Sequence, residues 1–402
     1  MTDALAQTES TDGLTRLSTI LNKLTNSRAM SQSDVAGERA QLSAMSLDFN
    51  TASPPVAEKL AQTLPQLFDY GSRWIAARML RDTGLVDETK GAFALTALCT
   101  AMTAEKDAGS RYMLAALVRD LGLKHESLSG AATTAIADCL GQEKDPYSRS
   151  AEKNSMMAVG MKYEAAGAAA VAGAAKGLRE DADPYARILF AGDLRDLAEK
   201  WPSQAAAVFD ALINAAQEEK DIPAMRHIAR HISTLAADNP ASIPAAVTAL
   251  SAGIARETRN EAISAYSHAL MTIGALQPMP VIAAIGADYA GFKGVAGKDK
   301  RRMAICNLAS LGDAGSAEAE AASKILQSAL PDEPQAHYRR LIVTGLLTCA
   351  RNGIDTTDIK EAMKDQLTRE KDRETRDTLD RSLRSLGYVR PYTTVVNFPS
   401  AG

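Results

Sequence analysis

Large flat side chains are scarce in this chain. Aromatic residues make up 5% of 402, and Trp74 and Trp201 are the two tryptophans. The 46% that is hydrophobic is therefore mostly Ala, Leu, Ile, Val and Met. Small residues let helices pack closely, and Ala, Leu and Met favour the helix itself, so the bulk composition reads as all-α. Cysteine is equally sparse: Cys99, Cys139, Cys306 and Cys349 stand singly inside helical patterns. Such spacing gives neither a zinc site nor a disulfide framework, and reduced core thiols are expected. Long apolar runs are missing as well. The most apolar stretch, Ala165–Ala175, is rich in Ala and Gly and has Lys162, Glu164 and Lys176 close by, which makes it too short and too weakly hydrophobic to span a bilayer. No membrane insertion is expected. Residues 1–13 lack a basic region followed by an apolar run, which argues against a cleaved signal peptide. A cytoplasmic protein is expected, with export by a route lacking an N-terminal signal peptide left open. Nor is charge biased to one sign: 45 basic residues face 49 acidic ones, for a net charge of -4. A general nucleic-acid binder carries a strongly basic face.

Catalytic signatures are absent too. There is no G-x-S-x-G elbow, no G-x-x-x-x-G-K-[ST] loop and no dinucleotide-binding glycine pattern. Gly291–Gly297 holds several glycines, but no Ser or Thr follows Lys298, and it reads as a connection between helices. His227 and His231 share a helix face, yet the stretch runs His-Ile-Ala-Arg-His. Catalytic zinc takes three protein ligands, so these read as surface or groove histidines. The carboxylate pairs Glu218/Glu219, Asp181/Asp183 and Glu318/Glu320 lie in polar turns or near helix starts and read as solvated caps. No catalytic residue, metal or cofactor is predicted.

What the chain does have is a period. Leu121, Val159, Leu197, Leu235, Ile273, Leu311 and Cys349 follow one another at 38 residues, and Leu386 comes 37 later. Constant spacing in the range of about 20 to 50 residues marks a solenoid of stacked units. The turns ahead of the second helices keep the same step, at Asp107, Asp145, Asp183, Asp221, Arg259, Gly297, Pro334 and Asp372. Asp is a good N-cap because its carboxylate accepts from the unpaired first-turn amides, and Pro146 and Pro184 follow at the first helical position. The second helices are expected to end at the apolar residues, with Gly122, Gly160, Gly274, Gly312 and Gly387 supplying a left-handed closing turn. First helices repeat through Leu98, Ile136, Ala174, Leu212 and Leu250. Pro278–Tyr289, with Gly286 inside it, reads as a kinked or loosely packed helix.

The organisation that follows is four segments. Residues 1–50 form a polar N-terminal stretch, frayed to about residue 12, with amphipathic helices at Leu14–Leu24 and from Ser33 or Asp34 toward Leu47. Residues 51–87, after a linker at Asn50–Pro55, form an irregular capping pair. Residues 88–387 form the repeats, and residues 388–402 an extended tail that covers the last repeat or serves as a recognition peptide.

Arginine recurs four residues after the turn position, at Arg111, Arg149, Arg187, Arg301 and Arg376, with Arg226 and Arg339 offset by one. Lined up across repeats, these form a row. One reading is a structural ladder in which Arg111, Arg149 and Arg187 pair with Asp107, Asp145, Asp183 and Asp221; the other is an anion-binding strip. With an Asp near the start of the second helix, an Arg a few residues later and an apolar residue followed by Gly near its end, the pattern resembles HEAT-type repeats. Asp145–Arg149 with Val159-Gly160, and Lys298–Gly312, carry the likeness best. The fifth unit departs from it, with Arg259 at the cap position and no Arg four later, so the ladder should break there. The resemblance implies a right-handed α-α superhelix of about eight 38-residue pairs whose second helices line a concave face. The resemblance carries architecture only; the function expected of such a surface is a non-enzymatic scaffold or adaptor that holds a protein or peptide in its groove. Candidate partner-binding residues are Arg111, Arg149, Arg187, Arg226, His227, His231, Arg301, Arg302 and Arg339. Nucleic acid is an alternative ligand through the basic cluster at 293–302 (Lys293, Lys298, Lys300, Arg301, Arg302), which Arg339, Arg340 and Arg351 could continue; Asp299, Asp313, Asp332 and Glu333 dilute it. A HEAT-like enzyme or enzyme accessory acting on nucleic acid or a bulky ligand, and a secreted bacterial effector, are the other two readings. Trp201 is expected to wedge between neighbouring units.

Overall fold

A computed structural model describes residues 2–45, 54–289, 291–292 and 297–389, with side chains from Asp12 onward. The linker expected at Asn50–Pro55 lies mostly outside the described residues, as do Lys293 and the tail from residue 390. Twenty α-helices and no strand occur among the described residues. They begin with α1 (Thr2–Thr25), α2 (Gln32–Met45), α3 (Pro54–Thr63) and α4 (Tyr70–Gly84). Thus α1 includes residues 2–12 of the stretch expected to be frayed. The periodic region follows: α5 (Glu88–Ala104) and α6 (Ala108–Lys124), α7 (Glu126–Leu140) and α8 (Pro146–Lys162), α9 (Glu164–Glu180) and α10 (Pro184–Lys200). Next come α11 (Ala205–Glu218) and α12 (Ile222–Asp238), α13 (Ile243–Arg256) and α14 (Asn260–Gly274), α15 (Pro278–Tyr289) and α16 (Lys298–Leu311). The last are α17 (Ser316–Ala329) and α18 (Ala336–Ala350), then α19 (Thr357–Arg369) and α20 (Arg373–Ser385).

Two compact units, Met1–Leu212 and Ile213–Gly402, divide the chain inside α11. Within each, a helix packs against the next one and the next but one, as in α6, α7 and α8 or in α16, α17 and α18. Such purely local packing is what stacked helical repeats require.

Cap chemistry explains where the second helices start. Asp107, Asp145, Asp183, Asp221 and Asp372 accept from the amides of Ser110, Ser148, Tyr185, Ala224 and Thr375 at 2.7–3.0 Å. Asp69 does the same for α4 through Gly71 and Ser72. Arg259 and Gly297 make no side-chain cap bond, and α18 is preceded by Gln335 rather than by Pro334.

The helix ends differ from the sequence reading. α6, α8, α10 and α12 run three residues past their periodic apolar residue, to Lys124, Lys162, Lys200 and Asp238. Gly122 and Gly160 therefore lie inside helices, and Gly312 caps α16 at φ -67. Of the five glycines, Gly387 has the left-handed conformation, at φ 81.

The others serve close approach. A methyl group on Gly122 would sit 2.8 Å from Cβ of Ala132 and 3.1 Å from Cγ1 of Val159. On Gly274 it would meet Cδ2 of Leu311 at 2.6 Å, and on Gly312 Sγ of Cys349 at 2.6 Å. Gly84 meets Leu121 in the same way. Leu121, Val159, Leu197, Leu311 and Cys349 thus each pack onto the glycine of the repeat before them. Leu121, Val159, Leu197, Ile273 and Cys349 are 0% exposed, and burying a side chain of this size contributes about 1.5–3 kcal/mol. Gly286 works similarly, against Ile325 at 2.6 Å, so α15 is closely rather than loosely packed there.

Replacing a mid-helix Gly by Ala ordinarily stabilises by about 0.5–1 kcal/mol. Gly192→Ala, in α10 with nothing within 4 Å of the new methyl, is expected to do so in urea unfolding. Gly122→Ala is expected instead to destabilise by about 1–3 kcal/mol through overpacking. Equal gains at both sites would refute close helix approach at Gly122.

Candidate functional site

The arginine row is tied into the fold by a recurring rung. Its carboxylate is not the capping Asp but the acid two residues ahead of it, a correction to the expected Asp/Arg pairing. Arg111 pairs with Glu143 at 2.7 Å, Arg149 with Asp181 at 2.8 Å, Arg301 with Glu333 at 2.9 Å and Arg339 with Glu370 at 2.7 Å. Each arginine thus reaches the loop that opens the following second helix. Arg73 on α4 makes the same contact with Glu105 at 3.2 Å. The arginines also bond back to their own loop: Nη1 of Arg111 donates to the Glu105 and Lys106 carbonyls, and that of Arg339 to Glu333. Nη1 of Arg187 likewise donates to the Asp181 carbonyl at 2.7 Å.

The acids, for their part, accept from the amides ahead of the helix. Glu143 takes Lys144 and Asp145, and Glu370 takes Lys371 and Asp372. The carboxylate side chains of Glu143, Asp181, Glu333 and Glu370 are 0–2% exposed. Burial would raise the Glu370 pKa, yet hydrogen bonds from Arg339, the Asp372 amide and Gln366 hold it at about 2. In the fifth unit Ile263 stands where the arginine would be. The acid Glu257 is met by Arg259 of its own loop at 2.6 Å and held at about 2 chiefly by that bond.

A second joint uses carbonyls near the ends of second helices. His125 reaches the Gly84 carbonyl at 2.8 Å, Nε1 of Trp201 donates to Gly160 at 2.7 Å, and Nδ2 of Asn352 donates to Gly312 at 3.0 Å. Trp201 is therefore wedged between neighbouring repeats.

The remaining basic residues separate into two sets. Lys300 is buried and donates to the Ala255 carbonyl, Arg301 is in the ladder, and Arg340 pairs with Asp372 and Glu374. Of the described members of the 293–302 cluster, Lys298 and Arg302 are exposed, while Lys300 and Arg301 are buried. The two arginines offset by one diverge. Arg339 is in register, four residues after Gln335. At α12 the ladder position is held by Met225, which is buried, and Arg226 falls outside.

Arg226 opens onto a groove of about 630 Å³ between α12 and α14. His227, Arg230, Ser264 and His268 share that groove, and Glu261 is the carboxylate lining it. An Arg230 Nη2 donates to Nδ1 of His227 at 3.0 Å. Partial burial, then Arg230 and Arg226, hold the His227 pKa below its ordinary value. His231, grouped with these in the sequence, is 4% exposed and lies beneath the surface, its ring 6.4 Å from that of His227. Arg230 and His268 escaped the sequence reading, although they stand one period apart.

Glu152 was also missed. It occupies the core position that Leu114, Phe190, Ile228 and Tyr266 hold in other repeats. It is 0% exposed, and neither carboxylate oxygen has a hydrogen-bond partner among the described residues. Burial, with the Glu143 charge adding to it and Arg111 opposing, pushes its pKa up to about 7. Sealed from solvent, it has no route to a substrate. Burial also pushes the thiols of Cys99, Cys139 and Cys349 up to about 12, 11 and 11, far from nucleophilic thiolates. Among the described residues no group of three His, Cys, Asp or Glu side chains could hold a metal ion, and no helix is long and apolar enough to cross a membrane.

Helix pairs stacked on buried rungs of this kind make an all-helical repeat fold. No protein-family profile and no curated protein sequence matches the chain. Among solved structures it is similar to the TSC2 N-terminus, at 10% identity over 94% of this chain and 100% of that one, with a TM-score of 0.45. It is similar to an engineered protein at 15% identity over 93% and 99%, with a TM-score of 0.38. A substituted Kap121p is 10% identical over 91% of this chain and 48% of that one, with a TM-score of 0.37.

Removing a ladder arginine leaves a buried carboxylate unpaired, so Arg111→Met and Arg301→Met are each expected to cost about 3–5 kcal/mol in urea unfolding. Arg226→Ala and Arg302→Ala should stay within about 0.5 kcal/mol of the parent; similar small losses at all four sites would mean the ladder carries no stability.

For Glu152 the folded pKa of about 7 exceeds the ordinary 4.5, so the native state binds the proton more tightly. Stability is expected to fall by about 3 kcal/mol as pH rises from about 4.5 to above 7. Glu152→Leu should remove that slope and be the more stable protein at pH 8. A parent urea midpoint that is the same with and without the substitution at every pH would contradict this.

Proposed function

We propose that this chain is a non-catalytic scaffold that binds a peptide segment of a protein partner on its second helices. The finer architecture is part of the proposal: each unit is a stretch of right-handed α-α superhelix, eight 38-residue pairs in all, with the second helices on the concave side. The observation that carries the reading is the contrast between committed and uncommitted charge. Arg111, Arg149, Arg301 and Arg339 are held in buried rungs, which supports a structural role for them and for Arg187. Arg226 and His227, by contrast, border an open groove of about 630 Å³, within the roughly 300–1,000 Å³ typical of ligand sites.

A peptide-display selection on the full chain tests this. Selected peptides are expected to bind the parent and to lose most of their affinity for an Arg226→Glu, Arg230→Glu double variant whose melting temperature is unchanged. Selection of no peptide, or binding that ignores the double substitution, would refute the α12–α14 groove as the binding face.

A further inference from the structure

The groove between α12 and α14 is unusual in how its charges are left. Arg226 and Arg230 are four residues apart on one helix, so their side chains share a face. Like charges at that spacing disfavour the helix slightly. Every ladder arginine with a rung described above meets a carboxylate, yet neither of these two finds one among the described residues. Both are exposed.

The neutral donors around them complete the set. Because Nδ1 of His227 accepts from Arg230, its proton sits on Nε2, which is a donor. From α14, Ser264 and His268 face the same space. The hydroxyls of Ser233, Thr234 and Thr272 are already spent on the Arg230 and His268 carbonyls. Two guanidinium forks, an imidazole N–H, a serine hydroxyl and a second imidazole offer more donors than the two oxygens of a carboxylate accept.

We propose that this groove binds a phosphorylated serine or threonine in a peptide segment of a partner protein, an inference that rests on the peptide-binding reading above. A phosphomonoester carries about -1.5 to -2 charges at neutral pH and three strong acceptor oxygens. It matches the two uncompensated arginines in charge and the surrounding donors in number, and bidentate recognition of phosphate is what arginine geometry suits. Glu261, the carboxylate that also lines the groove, repels further acidic groups, so a single phosphate fits better than a run of aspartates or glutamates.

The test compares three libraries of fluorescent random peptides on the full chain, centred on phosphoserine and phosphothreonine, on Ser and Thr, and on Glu. The phosphorylated library should bind about tenfold tighter or more than either other one. Arg226→Ala with Arg230→Ala should bring it down to the unphosphorylated level with an unchanged melting temperature, and millimolar inorganic phosphate should compete. If Ser/Thr peptides bind as well as phosphorylated ones, the phosphate assignment falls and peptide binding survives. Equal binding of the Glu library would make the ligand a carboxylate, which also overturns it. Phosphopeptide binding that survives the double substitution places the site elsewhere and refutes this groove. Binding of single-stranded oligonucleotide in preference to any peptide, or no binding at all, would overturn the scaffold reading and this inference together.

Discussion

A buried carboxylate stands at the entrance to four of the second helices, at Glu143, Asp181, Glu333 and Glu370, and it is tolerable there because an arginine from the preceding repeat reaches it. An unpaired charge with 0–2% exposure would be strongly destabilising. The pair is stabilised on both sides: loop amides donate to the acid, and loop carbonyls accept from the arginine. One rung therefore fixes the conformation of two successive loops and the offset between their helices. The apolar residue that packs onto the preceding repeat's glycine sets the distance at the other end of the helix.

The same constraint decides where charge is available to a partner. A ladder arginine is neutralised by its acid, so its charge is already committed within the fold. At α12, however, the ladder position holds Met225, and the basic residue is one place further on. One residue is about 100° of helix, enough to carry Arg226 from the inter-repeat joint out to the groove. Glu257 stays satisfied because Arg259 of its own loop replaces the missing partner. The candidate site is thus a local failure of the ladder that has been compensated. Glu152 is a departure of another kind, a carboxyl in a core position with no hydrogen-bond partner among the described residues.

Much of this was legible from residue spacing. The period, the helical class and five of the capping aspartates follow from side chains whose roles are local: an N-cap acts on amides two or three residues away, and the apolar column recurs because every repeat buries the same face. The role assigned to Gly122 and Gly160 was not legible. A glycine after an apolar residue looks the same whether it closes a helix or admits a neighbour, and only the position of Ala132 or Ala170 tells the two apart. The ladder acid was misassigned for the same reason, since Asp145 and Glu143 are equally near Arg111 in any reading by spacing.

The sequence alone determined that the chain repeats, where its second helices begin and which residue types recur at each joint, because those depend on contacts within a few residues or on strict periodicity. The tertiary structure decided which arginines are consumed by neighbouring repeats and which face a groove. That choice turns on a rotation of one residue about a helix axis and on the location of acids about 32 residues away, neither of which spacing along the chain encodes.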